Sequence, residues 1–125
     1  MNYQLTSEAN LKMKYMLLIY HDEQLFMSMP ETEREAIYLD YRQLREDLIS
    51  QGKFITGSQL QPASAATSVR VRNGKSLSTD GPFAETKEQL GGYFLIEAES
   101  LDEAKVIAAR IPSAKTGTVE VRAQA

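Results

Sequence analysis

Residues that could carry out chemistry are concentrated in two short stretches of this 125-residue chain. The first is YHDE, Tyr20 to Glu23, which contains the single histidine and follows directly on an apolar run. The second is DGPFAETKEQLGGY, Asp80 to Tyr93, which combines turn-forming residues with charged ones. Imidazole and carboxylate groups transfer protons, and a lysine stabilises developing negative charge. Together the two stretches predict a polar site, provided that the fold brings them together.

Each of the chemically active residues has a functional and a structural interpretation. Asp80 is either a general base or substrate anchor, or the carboxylate of a rigid turn. His21 is either a proton shuttle or an ordinary surface histidine. Lys87 either binds an anionic ligand or belongs, with Glu85, to a solvated charged loop. The other predicted ligand-binding residues lie at neighbouring strand ends or in the loop, and they are Tyr20, Ser58, Phe83 and Tyr93.

Composition argues against several classes of function. The net charge of -3 lacks the surplus of Lys and Arg that nucleic-acid binding requires. The chain has no cysteine, and one histidine without spaced ligands predicts no metal site. No apolar run is long enough to span a bilayer. We therefore expect a cytoplasmic protein that binds neither nucleic acid nor membrane.

The length of the chain predicts a single domain that buries its own core without disulfides. The first twelve residues are polar, with no hydrophobic stretch that could act as a signal peptide. We therefore expect residues 1–12 to form a flexible leader, and residues 13–125 to form the domain.

Apolar periodicity and capping residues predict the elements that must position the site. A capping box at Ser28 or Thr32 would start the first helix, and Gly52 would end it in a left-handed conformation. Ser100 and Glu103 form a second capping box. The predicted elements are a strand at Met13–Tyr20, a helix at Glu33–Gln51, strands at Phe54–Leu60 and Gly92–Ala98, a helix between Ser100 and Pro112, and a strand at Thr118–Arg122.

A β-hairpin is inserted before the third of these strands, with its tip at Asn73-Gly74. A two-residue loop would pair Val69 with Ser78. A three-residue loop with a bulge at the glycine would pair Val69 with Leu77 and keep apolar side chains on one face. We favour the bulge.

The order of elements predicts an α+β fold, a ferredoxin-like βαββαβ sandwich with the inserted hairpin. Two helices cover only one face of such a sheet, whereas the first and third strands are apolar on both faces. Leaving about six of these side chains in water would forfeit roughly 1.5 to 3 kcal/mol each. We predict that a second copy covers the open face, giving a homodimer with a barrel-like space between the sheets. Antiparallel pairing would place His21 and Asp80 at one rim of this space.

The chain resembles the YCII-related family, in its DGPF-domain branch. The matching segments are KYMLLIYHDE (Lys14 to Glu23), TGSQLQP (Thr56 to Pro62), TSVRVRNGKSLSTDGPFAETKEQLGGYFLIE (Thr67 to Glu97), LDEA (Leu101 to Ala104) and ARIPSAKTGTVEVR (Ala109 to Arg122). The resemblance implies a ferredoxin-like fold that dimerises into an α/β barrel, in agreement with the burial estimate.

The resemblance also implies two alternative functions. One is a cofactor-independent small-molecule enzyme that uses a pocket between the sheets of the dimer. Relatives carry a histidine on the first helix for acid–base catalysis, but Tyr38, Asp40 and Tyr41 occupy that region here, so the helical histidine is not carried over. The other is a ligand-sensing or accessory protein, since genes of this branch often lie beside extracytoplasmic-function sigma factors. Whether the protein is an enzyme stays open at this point.

Overall fold

A computed structural model describes residues 12–125 of the chain. The predicted flexible leader lies, apart from Lys12, outside the described residues. The elements are the strands β1 (Met13–His21), β2 (Phe54–Gln59), β3 (Thr67–Arg72), β4 (Lys75–Asp80), β5 (Gln89–Ala98) and β6 (Thr118–Ala123), and the helices α1 (Glu23–Ser28), α2 (Glu31–Ser50) and α3 (Leu101–Arg110). Two short 3-10 turns lie at Ala63–Ala65 and Pro112–Lys115.

Four of the strands form the main sheet, in the order β2-β5-β1-β6, and every neighbouring pair is antiparallel. Strands β3 and β4 form a separate two-stranded sheet, which is the predicted inserted hairpin. The prediction of an α+β fold is confirmed, and the strand order is compatible with a ferredoxin-like arrangement.

The hydrophobic core lies between one face of the main sheet and the two long helices. Side chains alternate along β1 and β5, as pleated strands require, so that every second residue points toward the helices. The buried members of the core are Tyr15, Leu17, Ile19, Leu44, Leu48, Phe94, Ile96, Ala98, Ala104, Ile107, Ala108 and Ile111.

The opposite face of the sheet, which we call the open face, is only half-buried. It carries Met16 and Leu18 from β1, directly across from Leu95 and Tyr93 of β5. In the chain taken alone the helix side of β1 is closed and the open face keeps contact with solvent, so its burial by a second copy stays a prediction.

The start of α2 differs from the predicted one. The helix begins at Glu31, and no side chain caps it. The predicted capping boxes at Ser28 and Thr32 are both wrong, because Ser28 instead bonds to the carbonyl of Leu25 at the end of α1 and Thr32 lies within α2. Pro30 stands at the N-cap position with φ of -56°, a value its ring fixes without any side-chain cap.

Helix α1 was not predicted, since six residues are too few to show a helical period. Its first turn is held by the Asp22 carboxylate, which accepts hydrogen bonds from the N–H groups of Gln24 and Leu25 at 3.0 and 3.1 Å. This cap turns the chain immediately after β1. The Asp22 carboxylate is bonded within α1 and not to its neighbour His21.

The other predicted helix boundaries are confirmed. Gly52 has φ of +70°, and Lys53 N–H donates to the Leu48 carbonyl at 2.8 Å, which closes the end of α2. The Ser100 hydroxyl accepts from Glu103 N–H at 3.1 Å and starts α3. No helix within the described range 12–125 is long and apolar enough to cross a membrane.

The hairpin register contradicts the predicted bulge. Val69 pairs with Ser78 across a two-residue turn at Asn73-Gly74, whose φ values are +53° and +75°. Such a turn matches the natural twist of the strands. The bulge was favoured to keep apolar residues on one buried face, but Val69 and Leu77 are 63% and 48% exposed, so no buried face sets the register.

Candidate functional site

A cavity of about 670 Å³ lies between α2 and the adjoining ends of β1, β2 and β5. It opens on the helix side of the main sheet, because its floor includes the core residues Ile19 and Phe94. The polar residues that line it are His21, Tyr38, Tyr41, Arg42, Arg45, Glu46, Ser58, Gln59 and Ser113. Its size and its mixed apolar and polar lining are those of a small-molecule pocket.

His21 reaches this cavity because it ends β1 on the same side as Leu17 and Ile19. Its imidazole meets the edge of Phe26 at a centroid distance of 5.9 Å, and Phe26 in turn meets Tyr38 at 5.8 Å. Neither ring nitrogen forms a hydrogen bond with any residue in the range 12–125. Packing against Phe26 and Gly91 therefore orients the ring.

Gly91 provides the space that the imidazole occupies. A Cβ atom at this position would lie 2.6 Å from His21 Cδ2 and closer still to Nε2. The β1–β5 register slips here, since Ile19 pairs with Gly92 whereas Tyr20 pairs with Leu90. The absence of a side chain at Gly91 thus permits the close approach of the His21 ring.

Tyr41 and Ser113 form a hydroxyl pair at the cavity wall. Their oxygen atoms are 2.7 Å apart, and either can donate. Burial raises the pKa of the Tyr41 phenol above its ordinary value, although the hydrogen bonds with Ser113 partly oppose this rise. The pair holds two O–H hydrogens and its mutual bond uses one, so a second donor is free to face a ligand.

Two arginines of α2 line the cavity, together with one acid, Glu46. The Arg45 guanidinium lies over the Phe54 ring, 5.7 Å from its centroid. Neither Arg42 nor Arg45 has a carboxylate within 4.0 Å in the part of the chain that the structure describes. The lining therefore presents positive charge that its own neighbours do not neutralise.

The structure places the predicted site residues in three different regions. His21 and Ser58 line the cavity. Tyr20 lies half-buried at the end of β1, and Tyr93 lies on the open face. Asp80 is exposed at the end of β4, paired with Thr67, in the hairpin and not in the main sheet. Phe83, Glu85 and Lys87 are exposed in the loop that follows, and Phe83 is 81% exposed.

The predicted meeting of His21 with the Asp80–Tyr93 stretch takes place only at the end of that stretch, where His21 pairs with Gln89 and packs against Gly91. Asp80 to Lys87 contribute no lining residue, because β4 pairs only with β3. A pocket between two sheets requires a second chain, so that part of the prediction stays a prediction.

Sequence reasoning missed the two arginines that α2 contributes to the site. Tyr38, Tyr41, Arg42 and Arg45 recur at intervals of three and four residues, which places them on one side of a helix. That spacing was the signal that could have revealed the α2 side of the site, because these residues lie next to the apolar positions that define the core side of the helix. Ser113 gave no signal, since it is 72 residues from its partner Tyr41 in the chain.

No three His, Cys, Asp or Glu side chains gather closely enough to hold a metal ion between residues 12 and 125. The fold and the cavity together define the class of protein, which is a small α+β domain with a cavity between its longest helix and its main sheet.

The comparisons with known proteins assign the family. Residues 13–123 match the YCII-related domain, and the chain belongs to this family. The chain is also similar to an uncharacterised protein of Rhizobium meliloti (strain 1021), with 38% identity over 112 residues, which cover 88% of this chain and 90% of that protein. The predicted membership of the YCII-related family is confirmed.

A Gly91→Ala substitution should destabilise the protein through a clash with His21. Gly91 is not one of the glycines with positive φ, so the cost is steric, about 1 to 3 kcal/mol of unfolding free energy. Urea denaturation measures this cost, and the ring resonances of the single histidine report the displacement. In a His21→Ala background the same change should cost much less. An equal cost in both backgrounds would contradict the assigned contact.

The raised pKa of Tyr41 should make folding stability fall at alkaline pH. The unfolded phenol ionises near its ordinary pKa of about 10, whereas the folded phenol resists ionisation. The stabilising contribution is fully present below about pH 10 and is lost as the pH rises through the folded pKa. Tyr41→Phe should remove this part of the pH dependence in urea denaturation. Ser113→Ala should steepen it, because a bond that lowers the pKa is lost; an unchanged slope in both variants would contradict the assignment.

Proposed function

We propose that this protein is a small-molecule enzyme that transfers protons, with His21 as the general base in the cavity between α2 and the main sheet. The observation that carries the proposal is the His21 imidazole at the cavity wall, held by Phe26 and Gly91 and hydrogen-bonded to nothing in the range 12–125. An imidazole is the side chain whose ordinary pKa best suits proton exchange near neutral pH.

The proposed step is the removal of a proton from a carbon beside a carbonyl group. The C–H bond breaks, an unprotonated nitrogen of His21 takes the proton, and the electron pair moves onto the carbonyl oxygen to form an enolate. Return of the proton to the same or another atom regenerates the imidazole and completes an exchange or an isomerisation. No electron acceptor is required.

The hydroxyl pair supports this step. Tyr41 and Ser113 line the same cavity as His21, and their pair has one O–H that their mutual bond does not use. A donor directed at the carbonyl oxygen stabilises the negative charge that develops there. The base therefore comes from β1, whereas the donor comes from α2 or from the turn at Pro112–Lys115.

The proposal includes a second copy of the chain on the open face. Met16, Leu18, Tyr93 and Leu95 form a partly exposed apolar stripe on its two central strands. Burial of such side chains favours association. The hairpin, as an isolated two-stranded sheet, is marginally stable by itself, and contact with a partner would add to its support. Such a homodimer would also create the predicted space between sheets, at whose rim Asp80 was expected.

Deuterium exchange tests the catalytic proposal without knowledge of the natural substrate. Small carbonyl compounds are incubated with the protein in D2O, and NMR follows the loss of the C–H signals beside the carbonyl. We expect exchange above the uncatalysed rate with at least one compound. His21→Asn should reduce that rate at least about 100-fold, since a general base contributes that much or more.

Two further outcomes of this experiment separate the alternatives. Binding of a compound without exchange in the wild-type protein would contradict catalysis and favour ligand sensing. Asp80→Asn tests the sequence prediction for that residue: a loss equal to that of His21→Asn would bring Asp80 into the site, whereas an unchanged rate would leave it as a turn residue. Thermal unfolding shows whether each variant is folded, and the ring signal of the single histidine adds a second check for Asp80→Asn.

Leu18→Glu should disrupt the proposed homodimer, because it places a charge in the centre of the open face. Light scattering after size exclusion measures the mass, and we expect a dimer for the wild type and a monomer for the variant. Val106→Glu, on the 66% exposed position of α3, is the matched control and should leave the dimer intact. A monomeric wild type at micromolar concentration would contradict the second copy.

A further inference from the structure

We infer that Arg42 and Arg45 form an anion-binding subsite, and that the ligand of the cavity is a small organic monocarboxylate with an apolar, typically aromatic, body. This inference rests on the proposed function, because it names the substrate class of the His21 cavity. The site has two unlike regions, and the ligand must match both.

The first region is the positive one. Arg42 and Arg45 stand three residues apart on α2, so their side chains are neighbours on the helix surface. Both line the cavity and are exposed at its mouth. A guanidinium group can bind a carboxylate through paired hydrogen bonds, and the cavity offers two of them.

The acids near these arginines leave the positive charge available. The Asp47 carboxylate accepts hydrogen bonds from Arg110 at 2.6 Å and from Gln43 at 2.9 Å, so it is engaged away from Arg42 and Arg45. Glu46 lines the cavity and follows Arg42 by four residues, yet it lies more than 4.0 Å from both guanidinium groups. Two cations against one unpaired acid therefore favour an anionic ligand over a neutral or cationic one.

The second region is apolar. Phe26, Ile37, Ile49 and Phe94 also line the cavity. Such walls favour a ligand with a hydrophobic body, and flat aromatic groups pack well edge-on against Phe and Tyr rings. A bare inorganic anion would leave this surface unused.

The geometry gives the carboxylate a second role besides affinity. With the anionic group held by Arg42 and Arg45, the body of the ligand would occupy the part of the cavity that His21 and the hydroxyl pair line. Fixing one end of a substrate in this way reduces the freedom of its reacting carbon relative to the base. Substrates would thus be carboxylates that carry a weakly acidic C–H, such as 2-oxo acids.

Binding of phenylacetate and of its neutral counterpart phenylacetamide tests the subsite in the full-length protein. Isothermal titration and the His21 ring resonances follow binding. We expect phenylacetate to bind more tightly than phenylacetamide, and the double variant with Arg42→Gln and Arg45→Gln to weaken phenylacetate binding about tenfold or more. Phenylacetamide binding should change less than about twofold.

Arg72→Gln is the matched control, because Arg72 is an exposed arginine of the hairpin that does not line the cavity. It should leave both affinities unchanged. Equal affinity of the two compounds, or equal loss in the control and double variants, would overturn the subsite. If arginine-dependent binding holds while deuterium exchange is absent, only the catalytic proposal fails; if neutral compounds exchange and the arginines have no effect, only the anion subsite fails.

Discussion

The cavity depends on a one-residue slip between the two central strands of the main sheet. β1 and β5 pair in unbroken register from Met13 to Ile19, and then Gly91 is passed over before Tyr20 meets Leu90. Because the extra residue has no side chain, the imidazole of His21 can lie directly against the backbone there. The slip therefore interrupts the regular pairing, which resumes at Tyr20 and His21, and lets the last residue of β1 form a wall of the site.

Helix α2 supplies the opposite wall because only its second half is anchored. Its buried residues are Leu44 and Leu48, and the left-handed Gly52 with the bond from Lys53 closes the end that follows them. The first half has no buried residue and no side-chain cap. Tyr41 is the transition between the two halves, since it packs against the core and also binds Ser113 at the cavity. The cavity is the space beside Tyr41 that the helix does not cover.

Local patterns in the sequence predicted most of the fold, because alternation in strands and capping at Ser100 and Gly52 are properties of neighbouring residues. They failed where distant burial decides between local alternatives. The hairpin register was predicted from an apolar face that the chain does not bury, and the start of α2 was assigned to Ser28 or Thr32 when Pro30 and the short α1 decide it.

The site was predicted only in part, because it too depends on contacts between residues that are distant in the sequence. His21 follows an apolar strand and could be singled out from its position alone. The hydroxyl pair could not, because Tyr41 and Ser113 meet only through the packing of α2 against the turn after α3. Asp80 was assigned a catalytic role because of its turn motif. The residue types predicted the inserted hairpin, but they did not show that β4 pairs only with β3 and stands apart from the main sheet.

The absence of a carboxylate partner for His21 within the described chain changes how the ring is oriented. Asp22, the nearest acid in sequence, is committed to the N–H groups of Gln24 and Leu25. Orientation comes instead from contact with the edge of Phe26 and with the backbone at Gly91. An imidazole bonded to a carboxylate has one nitrogen occupied and its tautomer fixed. In this chain the ring is held by packing, with its Nε2–Cδ2 edge against Gly91, and no hydrogen bond to the described residues fixes its tautomer.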